Sequence, residues 1–186
     1  MIMRRRVFLI LMILWMAGIF VFSSRSGDES TEDSYFVGAM VGDFFVPGFD
    51  EWSPEKQQEF AEKIDHPVRK TAHAAEYAVL GLLAAGVCIP SIASRSDENE
   101  IQEEAGYGGF INSRVGKAGK ELLVPWVIAV AYAATDEFHQ LFVPGRSGQI
   151  SDVVLDSAGA LAGLLILTVV RGIMKNRRNR VKNSTE

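Results

Sequence analysis

Apolar residues gather in four long blocks along the chain, and charges fill the segments between them. The first block, about 7–24, follows Arg4-Arg5-Arg6 and ends at Ser23-Ser24. A basic start before an apolar stretch resembles a signal peptide, yet no small-x-small cleavage site follows. Its length is close to what the hydrocarbon core requires, so an uncleaved first span is expected. The second block, about 67–89, opens at Pro67 and closes before Pro90. Proline suits the first helical position and also marks an end, so this block predicts a helix starting at Pro67. The third and fourth blocks cover about 122–143 and 153–173. Gly159 and Gly163 in the fourth stand four residues apart, a spacing that lets membrane helices approach closely.

The pattern therefore predicts an all-α integral membrane protein: a single domain over 1–186 with four transmembrane helices. Lys and Arg counts set its orientation. With the N-terminus inside, thirteen basic residues fall on the cytoplasmic side and six on the outer side. Both termini are expected in the cytoplasm of a multi-pass membrane protein. The basic tail, 174–186, then reads as an anchor on anionic headgroups.

The outer loop, 25–66, begins with acids and continues with apolar residues at 37, 40, 41, 44 and 45, a helical spacing. Pro47-Gly48 breaks it, and Ser53-Pro54-Glu55 restarts a helix expected to reach about Ile64. Two short amphipathic helices are predicted, lying on the outer membrane surface or capping the bundle. The cytoplasmic loop, 91–121, is polar and charged, and poor order is expected there.

Composition narrows the partners. The formal charge of -4 argues against nucleic acid. The lone Cys88 cannot form an intrachain disulfide and reads as a small packing residue. The bilayer is the expected partner, and the oligomeric state is open.

Ionisable residues in membrane helices are costly unless paired or wet, which makes them candidates for function. Arg69, Lys70, His73, Glu76 and Tyr77 stand at the start of the second span. Two cations in a first turn would oppose the helix macrodipole, which prefers anions there. Asp136, Glu137, His139 and Gln140 close the third span. Asp152 and Asp156 open the fourth, beyond the turn that holds Arg146. In the expected orientation all of these lie at the outer end.

Several chemistries fit. Arg69, Lys70 and Arg146 can bind a phosphate or diphosphate headgroup. In an enzyme, His73 or His139 could move a proton or act as nucleophile, oriented by Glu76, Asp136 or Asp152. Tyr77, Glu137, Gln140 and Asp156 would complete a binding site. A divalent metal on the His, Glu and Asp residues is the less favoured alternative, because the three cations would repel it, and no cofactor is expected. Interhelical salt bridges serving structure alone are the plain alternative.

Val68-Arg69-Lys70-Thr71-Ala72-His73-Ala74-Ala75-Glu76-Tyr77 and Ala133-Ala134-Thr135-Asp136-Glu137-Phe138-His139-Gln140 resemble the VanZ-like family. So do Phe142-Val143-Pro144-Gly145-Arg146, Asp152 to Asp156 with Gly159 and Gly163, and Phe22-Ser23-Ser24. The resemblance covers all four blocks. It implies a small membrane protein of the bacterial cell envelope. Because the founding member is associated with teicoplanin resistance, it also implies a link to glycopeptide tolerance. It implies no settled reaction. The expected function is an outer-face site that binds or modifies an anionic, lipid-linked envelope component. The alternative is a non-catalytic binder or scaffold for envelope enzymes. Arg146-x5-Asp152-x3-Asp156 is similar in spacing to an Arg-x5-His-x3-Asp element of membrane lipid phosphatases. An aspartate stands where that element has its nucleophilic histidine, which argues against a phosphohistidine mechanism.

Overall fold

The chain folds into helices joined by tight corners, as a computed structural model describes it for residues 2–89 and 107–183. Side chains at 28, 29, 32–34, 107–120 and 182–183 are outside that description. Five α-helices and one 3-10 helix form, with no strand among the described residues. They are α1 (Ile2–Ser23), α2 (Gly27–Phe45), α3 (Pro54–Cys88), α4 (Tyr107–Gln140) and α5 (Ile150–Asn183). The 3-10 turn is Phe49–Glu51.

Among the described residues, three helices are long and apolar enough to cross a membrane: α1, α3 and the Ile150–Val181 part of α5. The fourth expected span falls in α4, whose last turn carries Asp136, Glu137, His139 and Gln140 and whose side chains at 107–120 lie outside the described residues. Beside an apolar core the interior holds polar groups, and much of the outside is apolar. Asp136, Glu137, Gln140 and Asp156 are buried, while Phe138, Phe142, Leu165, Ile166 and Val169 are exposed. A lipid solvent favours this arrangement, because unpaired polar groups are costly in hydrocarbon and apolar side chains are not.

The segment 25–66 differs from expectation. Its first helix, α2, is 19 residues long. Gly38 and Gly42 let it settle on Ala61 and on the Phe49 ring; an added methyl would be tight at Gly38 and would collide with the ring at Gly42. Phe36, Met40, Phe44 and Phe45 remain exposed. Gly48 takes a positive φ of 74° at the corner, which a glycine adopts without penalty. Phe49 is buried, with the Trp52 and Phe60 rings each 5.3 Å away.

The helix that begins at Pro54 does not stop near Ile64. It continues through Pro67 for 35 residues. The sequence shows a polar segment meeting an apolar one at a proline, and that boundary reads as a helix start. The structure retains the proline inside the helix, at the loss of one backbone hydrogen bond. Thr71 donates its hydroxyl to the Pro67 carbonyl at 2.7 Å. Arg69 and Lys70 are consequently far from the helix N-terminus. The expected conflict with the macrodipole disappears, since that effect is confined to the end turns.

In the expected cytoplasmic loop, α4 already begins at Tyr107, and the rest of the loop lies outside the described residues. The expected basic tail is helical as far as Asn183.

The central helix is α3, which contacts α1, α2, α4 and α5. It runs antiparallel to α1: Arg4 donates to the Ile89 carbonyl at 3.2 Å, and the Trp15 indole to the Glu76 carbonyl at 2.9 Å. It runs parallel to α5, where small residues meet backbone. A methyl on Gly159 would strike the Ala74 carbonyl, and one on Gly163 would lie 2.6 Å from the Ala78 carbonyl. Gly81 faces Ala160 in the same way. The Gly159/Gly163 spacing thus serves the close approach it suggests. Trp126 of α4 donates to the Ser157 carbonyl at 3.0 Å. A core of Ile19, Tyr77, Leu80, Ala129, Ala133 and Ala160 fills the centre.

Candidate functional site

Above that core, the end of α1, the start of α2, the middle of α3, the end of α4 and the start of α5 meet. The α4–α5 corner sets the geometry. Gly145, with φ 73°, turns the chain, and the Gly27 amide donates to the Pro144 carbonyl at 3.0 Å. The corner therefore docks against the α1–α2 corner. Arg146 reaches across this seam. Its Nε donates to the Arg25 carbonyl at 3.0 Å and its terminal nitrogen to the Phe22 carbonyl at 3.4 Å. Burial pushes the Arg146 guanidinium below its usual pKa range, and the nearby charge of Arg69 acts in the same sense.

Two cavities open here. The first, about 240 Å³, is lined by Arg69, His73, Glu76 and Arg146 together with the apolar Phe22 and Val37. The second, about 150 Å³, is lined by Lys70, Glu137, Gln140, Asp152 and Asp156. Arg69, His73 and Arg146 line both, so they form the wall between them.

Salt bridges organise the rim. Lys70 Nζ lies 3.1 Å from Asp152 Oδ1, and Arg69 lies 2.7 Å from Asp65 one turn earlier. Inside, the Gln140 amide donates to Glu137 Oε1 at 3.1 Å and to Asp136 Oδ2 at 3.4 Å. The Gln149 backbone N–H donates to Glu137 Oε2 at 2.8 Å. Asp156 is fully buried, and neither of its carboxylate oxygens has a hydrogen-bond partner. Tyr77 Oη, Asp136 Oδ1 and Ser23 Oγ are likewise buried and unpartnered. Native proteins satisfy nearly all such groups, so four unmet residues in one region mark the site as unusual.

The chain belongs to the VanZ/LLP1 family. The family model matches residues 8–171, which takes in α2, α3 and α4 and the parts of α1 and α5 that border the site. No curated protein and no solved structure matches the chain. Family membership identifies the chain as a VanZ-like membrane protein, in keeping with its exposed apolar helices.

Of the twelve candidate residues from sequence, nine line one or both cavities: Arg69, Lys70, His73, Glu76, Glu137, Gln140, Arg146, Asp152 and Asp156. Three do not. Tyr77 and Asp136 are buried outside the cavity walls. His139 faces α1, with its Nε2 3.1 Å from Ser24 Oγ and its ring 4.5 Å from that of Phe20. At roughly 100° per residue, positions 136, 140 and 137 span one inward arc, and 139 falls about 60° outside it. Sequence reasoning missed His66, Gln149 and Ser30 as lining residues. Gln149 had a usable signal, because a residue just before a helix start presents free N–H groups to a nearby carboxylate. Among the described residues, no three His, Cys, Asp or Glu side chains are grouped to hold a metal ion.

Proposed function

We propose that this protein is a four-span member of the bacterial envelope, with both termini cytoplasmic, whose outer-face cavity binds an anionic lipid-linked headgroup. One observation carries the reading: Arg69 and Arg146 line the same cavity together with apolar side chains. Two guanidiniums beside an apolar wall suit a phosphate attached to a lipid tail, because planar forked donors match phosphate oxygens. The mutual repulsion of Arg69 and Arg146 is relieved when an anion sits between them.

Glycopeptide tolerance belongs to the same proposal. A protein that holds envelope components at the outer face changes what an envelope-directed drug meets there. If the bound component is also modified, His73 is the proton-transferring group rather than His139, because of these two only His73 lines the cavities, and it lines both. Its role is then to act on the headgroup while Glu76 lines the same first cavity.

The scaffold reading has its own support. Lys70 and Asp152 join α3 to α5, and Arg146 joins the two corners through backbone carbonyls. Binding separates the two readings. Purified protein is offered a panel of lipid-linked envelope precursors, as wild type and as Arg69→Ala, Lys70→Ala and Arg146→Ala. The expected result is selective binding that falls about tenfold or more in the Arg69 and Arg146 variants, the loss of a charged hydrogen bond. Mass analysis of the same samples shows whether the ligand is altered. Absence of binding to any anionic headgroup leaves the cluster as a scaffold.

A further inference from the structure

The second cavity is unlike the first. The wall of Arg69, His73 and Arg146 separates them, and behind it stand Glu137, Asp152 and Asp156. Glu137 is satisfied by Gln140 and Gln149, and Asp152 by Lys70. Asp156 is not: it is fully buried, it lines this cavity, and both of its oxygens lack donors. A carboxyl placed there without donors is costly in the empty protein, and a ligand that brings donors removes that cost. An ionised phosphodiester cannot do so by itself, since it offers only acceptors to a group that itself needs donors.

We propose, resting on the headgroup-binding reading, that the ligand is a phosphate ester carrying N–H or O–H donors beyond its phosphate, with the phosphate between Arg69 and Arg146 and the donor group received by Asp156. The two cavities then hold the two ends of one headgroup. The lipid tail leaves past Phe22 and Val37, which line the first cavity and are exposed. Asp156 selects between headgroups, and the arginines supply attraction common to all of them.

The shared chemistry is the donor, and two sources can provide it: an amine or a hydroxyl. The experiment uses the full chain in lipid nanodiscs. Headgroups are paired so that charge stays constant while donors change. Phosphatidylethanolamine is compared with phosphatidylcholine, and phosphatidylglycerol with phosphatidylmethanol. Diacylglycerol serves as the phosphate-free control. The expected result is about tenfold tighter binding of at least one donor-bearing lipid than of its donor-free partner. The pair that shows the difference identifies amine or hydroxyl.

In Asp156→Leu the preference disappears while phosphatidylmethanol still binds. Asp156→Asn, which keeps an acceptor and the side-chain shape, retains part of the preference and guards against a folding defect in the leucine variant. Equal affinity within both pairs overturns the inference, as does a preference that Asp156→Leu leaves intact. Failure of every phospholipid to bind above diacylglycerol overturns instead the headgroup reading on which the inference rests.

Discussion

Tyr77 separates a binding role from a packing role at the level of single atoms. Its ring lies at the centre of the core, fully buried, and its hydroxyl has no partner. An unmet buried hydroxyl costs roughly 1–3 kcal/mol. Tyr77→Phe is therefore expected to leave stability unchanged or raise it by about 1 kcal/mol, read as thermal unfolding in detergent. A loss of more than about 2 kcal/mol would mean that the hydroxyl is satisfied in the folded protein. The residue scale is also where sequence reading reached its limit. Helical spacing put Asp136, His139 and Gln140 on one face, yet His139 turns to α1 and Phe20. The Lys70–Asp152 pair was hidden as well, because it depends on how α3 and α5 are rotated against each other. Residue types announced a polar site; the partners within it come from tertiary packing.

Among the elements, the α3–α5 contact has the clearest consequence. Glycines at 159 and 163 permit backbone to meet backbone, so adding a single methyl forces the helices apart. Gly159→Ala and Gly163→Ala are each expected to destabilise the protein by roughly 1–3 kcal/mol, in the range of overpacked sites. Gly172, further along the same helix, has open space around it. Gly172→Ala should be neutral or stabilising by up to about 1 kcal/mol through helix propensity. Equal losses at all three positions in a thermal melt would contradict a specific contact at 159 and 163. The glycine spacing was legible from sequence because close packing demands a particular residue. The continuity of α3 was not, since Pro67 sits where polarity changes and a proline there is equally compatible with a start or an interior position.

For the molecule as a whole, the apolar blocks and the gathering of charges at one end were legible, because hydropathy and span length follow from the solvent. The span expected in α4 ends in Asp136, Glu137, His139 and Gln140, which gives that block a mixed character. Orientation is open to a direct test. In a Cys88→Ala background, Ser147→Cys should react with a membrane-impermeant maleimide in intact cells. Asn179→Cys should react only after the membrane is opened. The reverse pattern would place the cavities in the cytoplasm and remove them from the outer envelope. Both positions are exposed, so labelling reports sidedness and not burial.

The seam through the site divides the chain's two halves by sign. The half ending at Ile89 brings Arg69, Lys70 and His73 with one acid, Glu76, to the cavity walls. The half beginning at Tyr107 brings Glu137, Asp152 and Asp156 with one base, Arg146. Each half is thus a partial counter-ion to the other, with a single residue of opposite sign exchanged across the join. Lys70 with Asp152, and Arg146 with the Phe22 and Arg25 carbonyls, already tie the halves across that join, so a headgroup drawn to those cations would meet groups that also hold the chain together.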